Sequence, residues 1–283
     1  MTNRGVAWPR PFSHVRLAPA RLRRLGSPVR RTPAPTRRNA LKTILAWLYQ
    51  VYAWLFLIPF AFVWSFICGW VAVAAAMVVS PRFASTRIGG IWARVIGWLT
   101  PMIVRKEGEA HIVPGETYVV VCNHASQYDI LLVYGWLGLD LRWVMKQELR
   151  KVPGIGVGCE KVGHIFVDRS NPEAAKQAIN DALERIGDGV GILFFPEGTR
   201  SLDGRLKPFK KGAFRIAVDQ QLPVLPLTLL GTRDIMPAKS LFIRPGRAAI
   251  VVHPPIRPEG RSVSELQCDA WEAVASALPA ASR

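Results

Sequence analysis

Tyr118-Val119-Val120-Val121-Cys122-Asn123-His124-Ala125-Ser126-Gln127-Tyr128-Asp129 is the stretch on which the fold turns. Its first five residues form an unbroken apolar run, rich in β-branched side chains, as expected of a strand buried on both faces. Polar residues interrupt the run, and a helix is expected from about Ser126 to Leu137. A strand that passes into a helix through a short polar turn is the building unit of an α/β domain, and ligands there gather at the C-terminal ends of strands. His124 falls in the turn and Asp129 in the first turn of the helix. A carboxylate five residues after a histidine can fold back onto one ring nitrogen, fix the tautomer and leave the other nitrogen as a base. The same spacing also suits a purely structural pair.

Outward from this stretch the alternation continues. Strands are expected at Ile165–Val167, Gly191–Phe195, Val224–Leu230 and Ala249–His253. Between the first two, Asn171 can cap a helix with Pro172 at its first position. Ala174, Ala175, Ala178, Ile179, Ala182, Leu183 and Ile186 would form its apolar face, and Gly187 its end. Ser262-Val263-Ser264-Glu265 reads as a capping box that opens a last amphipathic helix. An α/β domain is therefore expected over residues 107–283.

The N-terminal part has a different character. Of 37 Lys and Arg, 16 precede Glu107, the first acidic residue, which leaves 21 basic against 20 acidic residues over 107–283. The net charge of +17 thus belongs to the front of the chain. A nucleic-acid module carries its basic stripe on the folded domain, so that class is set aside. A basic segment beside an apolar run suits an anionic membrane surface, where each Lys or Arg contributes about 1 kcal/mol. Residues 1–40, rich in Arg, Pro and Ala, are expected to form a disordered basic arm, either lying on lipid or without a role.

No residue from Thr43 to Pro81 is charged. As one helix the run would reach ~58 Å, about twice the hydrocarbon thickness. Two apolar segments are expected instead, broken near Pro59 or within Ser65–Gly69, crossing as a pair or embedded as a hairpin in one leaflet. Ile88–Val104 reads as an amphipathic helix on the membrane or against the domain. Membrane-associated helices are thus expected over residues 41–106. Cys68, Cys122, Cys159 and Cys268 have no CxxC spacing, which predicts free thiols and neither a disulfide framework nor a metal site.

A second constellation is Phe195-Pro196-Glu197-Gly198-Thr199-Arg200, where a strand runs out and the chain turns at Gly198. Arg200 could hold a phosphate bidentately; Glu197 could orient Arg200 or a glycerol hydroxyl. Lys146, ahead of the Pro153-Gly154 turn, and Arg169, at the end of the Gly163–Arg169 strand, add cations. Each segment alone also fits a solvated surface turn.

Taken together and in this order, Asn123–Asp129, Gly163–Arg169, Phe195–Arg200 and Leu222–Leu227 resemble the four motifs of the glycerophospholipid acyltransferase family, most closely the bacterial 1-acylglycerol-3-phosphate acyltransferases. The resemblance covers roughly residues 107–255. It implies an α/β domain with a mixed sheet flanked by helices, preceded by N-terminal membrane helices. His124 would deprotonate the acceptor hydroxyl, with Asp129 supporting the imidazolium. Arg169, Glu197, Gly198 and Arg200 would bind the glycerol-phosphate head, and Lys146 would add charge to the phosphate. No metal, no cofactor and no acyl-enzyme is implied; acyl-CoA or acyl carrier protein serves as co-substrate. The lysophospholipid acceptor and the bilayer are the implied partners, at the bacterial inner membrane with the catalytic domain facing the cytoplasm. Other acceptors, such as a lyso-ornithine lipid, share the motifs. A non-catalytic membrane-surface binder would not need the His124–Asp129 pair. The Pro153-Gly154-Ile155-Gly156 stretch departs from the bulkier aromatic residues of many relatives.

Overall fold

The computed structural model describes residues 37–283 apart from Arg169, Ser170 and Ile186. Most of the expected arm 1–40 therefore lies outside the described residues, as do Arg169 and the apolar position at Ile186. Seven strands form one sheet: β1 (Met102–Glu107), β2 (Tyr118–Cys122), β3 (Asp140–Lys146), β4 (Ile165–Val167), β5 (Val190–Phe194), β6 (Val224–Leu230) and β7 (Gly246–Val252). Their spatial order is β1-β7-β6-β2-β5-β3-β4. β2 to β6 run parallel, and β7 turns antiparallel against β6 while pairing parallel with β1. The sheet is mixed, as expected.

β2 lies near the middle, and its burial explains its composition. Tyr118, Val120 and Cys122 face one core, shared with the helices Gly90–Leu99 and Tyr128–Trp136. Val119 and Val121 face the other, shared with the helices Pro172–Leu183, Gly212–Asp219 and Val263–Ser276. Both faces are dry, so no polar residue alternates in. Two expected caps are present. The Asn171 side chain accepts from Ala174 N at 3.1 Å, and Ser262 with Glu265 forms the reciprocal capping box. The helix opened by Asn171 ends at Leu183, ahead of Gly187.

The N-terminal region corrects the expected pair of segments. The apolar run forms one helix over Thr43–Val78, passing through both Pro59 and Gly69. Its length is about 54 Å at 1.5 Å per residue. Proline breaks an α-helix because its ring strikes the carbonyl four residues back. Here the turn Ala53–Leu57 is π-helical, with Ile58 N bonded to Ala53 O, and Pro59 enters the first turn of the α-helical stretch that follows. The wider turn absorbs the missing donor. The chain breaks later, at Ser80-Pro81, where the Ser80 hydroxyl accepts from Phe83 N at 3.1 Å. The helix expected over Ile88–Val104 ends at Leu99, and Met102–Val104 belongs to β1, so the sheet begins ahead of the boundary expected at 107.

Several contacts dock the long helix: Tyr49, Tyr52, Trp54 and Trp64 donate to the Thr100, Leu99, Leu241 and Trp92 carbonyls, and two further contacts join them. The Gln50 side-chain amide donates to Ile243 O at 2.6 Å and accepts from Ile243 N at 3.1 Å. Farther along, Gly69 meets the loop and helix around Gly154 and Gly158 backbone to backbone. A Cβ on Gly69 would lie 2.5 Å from the Gly154 carbonyl oxygen, and one on Gly158 would lie 2.9 Å from that of Gly69. This contact accounts for Gly154 and Gly158, whereas a Cβ on Gly156 would strike the Arg150 carbonyl. The outward face stays apolar, with Leu55 77 % and Phe62 71 % exposed. Exposed apolar surface of this extent marks a membrane-association site.

Candidate functional site

β2, β5 and β3 are parallel, so the segments that follow them leave the same edge of the sheet. The β2 loop carries the first candidate residues. Asn123 is buried and acts as an extra rung: its amide donates to Leu229 O at 2.9 Å and its carbonyl accepts from Leu229 N at 2.8 Å. The loop cannot slide along β6 without breaking both bonds. His124 follows, and its Nδ1 stands 2.8 Å from Asp129 Oδ2. That oxygen also accepts from Ala125 N at 2.7 Å and Ser126 N at 2.8 Å. With two backbone N–H groups already donating to it, Oδ2 is placed as an acceptor toward Nδ1, the arrangement that orients the ring and turns the Nε2 lone pair outward. The His124 side chain is 14 % exposed and that of Asp129 fully buried, so the dyad is shielded but reachable. Phe195 stacks on the imidazole at 3.9 Å between ring centroids and fixes its plane.

The second candidate segment is fastened to the first. Glu197 Oε1 accepts from His124 N at 2.7 Å, and Ser201 N donates to His124 O at 2.7 Å. The backbone of His124 is thus gripped on both sides by the Phe195–Arg200 turn and its continuation. Gly198 makes that turn possible with φ +77°, a conformation costly for any residue with a Cβ. Of the two roles open to Glu197, orienting Arg200 or a glycerol hydroxyl, the first is not among the ion pairs of the described residues. Glu197 is 5 % exposed, and its second oxygen accepts from Lys207 N at 3.3 Å. Burial pushes its carboxyl up to about 7, against the downward pull of the two N–H bonds. The Arg200 carbonyl accepts from Lys207 Nζ at 3.0 Å, while no ion pair among the described residues engages the Arg200 guanidinium.

Lys146, at the end of β3, pairs with Glu148 at 2.7 Å, both side chains more than half exposed. β4 ends at Val167, and Arg169 beyond it lies outside the described residues. His164, inside the second motif, is not a second base. Trp143 N donates to its Nδ1 at 3.3 Å, its Nε2 meets the Tyr134 hydroxyl at 2.8 Å, and burial, helped by the Arg142 charge, lowers its pKa to about 3. The sequence reading missed the supporting residues Asn123, Phe195 and Thr232. Asn123 and Phe195 lie inside the quoted motifs, whereas Thr232 carried no sequence signal. Its Oγ1 donates to Asp129 Oδ1.

A family model described as acyltransferase matches residues 103–230. Over 230 residues it is 32 % identical to a 1-acyl-sn-glycerol-3-phosphate acyltransferase of Chlamydomonas reinhardtii, covering 77 % of this chain and 68 % of that protein. It is 38 % identical over 152 residues to the chloroplastic 1-acyl-sn-glycerol-3-phosphate acyltransferase BAT2 of Brassica napus, covering 53 % of this chain and 43 % of that one. The crystal structure of the 1-acyl-sn-glycerophosphate (LPA) acyltransferase PlsC from Thermotoga maritima aligns with a TM-score of 0.72 at 27 % identity, covering 81 % of this chain and 94 % of that one. The chain belongs to the glycerophospholipid acyltransferase family and carries one N-terminal apolar helix suited to membrane association.

Proposed function

We propose that this acyltransferase moves a fatty acyl group from acyl-CoA or acyl carrier protein to the free hydroxyl of 1-acylglycerol-3-phosphate, giving phosphatidic acid. The observation that carries the reading is the His124 Nδ1–Asp129 Oδ2 bond, held against the loop that bears Arg200. In the proposed step, His124 Nε2 takes the acceptor's hydroxyl proton as its oxygen attacks the thioester carbonyl. The C–S bond of the tetrahedral adduct then breaks, and the thiolate leaves with the proton returned from Nε2. A positioned base of this kind gives roughly 10²–10⁴-fold. Asp129 orients the ring and supports its positive charge.

Arg200 binds the acceptor phosphate as a planar fork, with Arg169 and Lys146 adding positive charge. Gly198 shapes the turn that carries Arg200 toward the head group. Glu197 acts on the acceptor indirectly, through the loop that it ties to His124. The catalytic domain faces the cytoplasm at a bacterial inner membrane, where the donor is soluble and the acceptor is lipid.

A panel of lysolipids, assayed with labelled acyl-CoA and acyl carrier protein, tests the acceptor. The 1-acylglycerol-3-phosphate should turn over fastest, and preference for a lyso-ornithine lipid would overturn this choice. Arg200→Lys should raise KM for the phosphate-bearing acceptor more than for the donor. Equal rises would remove Arg200 from the head-group site.

A further inference from the structure

Thr232 opens the short helical turn Thr232–Ile235 that follows β6, far along the chain from the motif that carries the base. It is 1 % exposed, and its Oγ1 donates to Asp129 Oδ1 at 2.5 Å. The two oxygens of Asp129 therefore have separate duties. Oδ2 accepts the His124 Nδ1 proton together with the Ala125 and Ser126 N–H groups, and among the described residues Oδ1 has the Thr232 hydroxyl as its donor. We propose that Thr232 is a positioning residue of the catalytic array, holding the Asp129 carboxylate in the orientation from which it aligns His124. The inference rests on the reading of His124 as general base.

The physical need is specific. A wholly buried carboxylate oxygen without a donor is strongly disfavoured, so removing the hydroxyl drives Asp129 to rotate toward another donor. Rotation breaks the Oδ2 bond that selects the Nδ1–H tautomer, and the base is then misaligned in part of the population. The segment around Thr232 is itself anchored on both catalytic loops. The Ser126 hydroxyl donates to Met236 O at 2.6 Å, and Arg233 Nη2 donates to Leu202 O at 3.2 Å. The charged and titratable groups around the dyad are Glu197 on the β5 loop, with Lys207 bonded to it, Cys122 at the end of β2 and Arg233 beside Thr232. None of them donates to Oδ1.

The full-length enzyme in detergent, with acyl-CoA and lysolipid, provides the test. Thr232→Val, close to isosteric, should lower kcat roughly ten- to a hundredfold and leave both KM values in place. Thr232→Ser, which keeps the donor, should restore kcat to within about threefold of the parent. Nitrogen-15 spectra of labelled histidine should show one Nδ1–H tautomer at His124 in the parent and a mixture in the Val variant. If Thr232→Val does not fold, Thr232→Ala takes its place with the same expectation. A folded variant with parental kcat, a Ser variant as impaired as the Val, or an unchanged His124 spectrum would each overturn the assignment. His124→Ala separates the two levels. Retained turnover there defeats the general-base reading itself, whereas abolished turnover beside an unaffected Thr232→Val defeats this inference alone.

Discussion

The loop around His124 and the long helix over Thr43–Val78 differ in how completely they are held. The loop is held by directional bonds: Asn123 to Leu229, Glu197 to the His124 N–H, Ser201 to the His124 carbonyl and Asp129 to three donors on one oxygen. The helix has directional bonds only along its inward face, from Tyr49, Gln50, Tyr52, Trp54 and Trp64, with a close backbone contact at Gly69, and most of its outward surface is bare and apolar. Hydrogen bonds constrain direction as well as distance, which proton transfer requires. Burial is non-directional and fixes only proximity, which suffices for an element that meets fluid lipid.

The contrast can be broken at either region. The largest effect is expected at the base: His124→Ala should cost roughly 10²–10⁴-fold in turnover. Vesicle co-sedimentation should be unchanged, because the apolar helix is untouched. Loss of membrane binding would show that the two regions are coupled. Next comes Gly69→Leu, whose side chain has nowhere to go against the Gly154 carbonyl. Forcing the helix outward should cost about 1–3 kcal/mol, read as a lower Tm, and should reduce turnover far less than loss of the base. An unaltered Tm would mean that this contact does not hold the helix.

The smallest effect sharpens the loop side. Glu197 has its carboxyl raised to about 7 from an ordinary 4.5, because burial disfavours its charge. The folded protein therefore holds this proton more tightly than the unfolded chain. Its contribution to stability is full below about pH 4.5 and is lost as the pH rises through about 7. Glu197→Gln has no proton to lose. A plot of Tm against pH should be flatter over that window for the Gln variant, and parallel curves would show that Glu197 titrates normally.

What the sequence revealed follows from how locally each feature is encoded. β2 and β4 are continuous apolar runs, β6 is interrupted by Thr228 alone, and all three were legible with their bounds. β1 was missed because Met102–Val104 was read as the end of an amphipathic helix over Ile88–Val104, and the charges at Arg105, Lys106 and Glu107 give no strand pattern, although an edge strand tolerates and even favours charge. β3 was missed because it carries Asp140 and Arg142. The two side chains, two residues apart on one face, form a buried bidentate pair and so satisfy each other inside the core. The uninterrupted helix was missed because a proline announces a break, while the π-helical turn that accommodates it has no sequence mark. In the site, the base and its carboxylate share one short motif. Thr232, far along the chain, reaches Asp129 from the end of the neighbouring strand β6, and Asn123 pairs with the backbone of β6, relations that only the folded sheet creates.

The double bond between Asn123 and Leu229 ties the quality of the sheet to the presence of activity. A molecule in which β2 docks one residue out of step would turn each of its side chains to the opposite face and carry Asn123 away from its partner. The imidazole would then leave the cleft altogether. Errors of strand pairing in this chain should therefore produce inert molecules, and not enzymes with altered selectivity. In a preparation refolded from denaturant, the fraction of active sites would count the correctly paired chains.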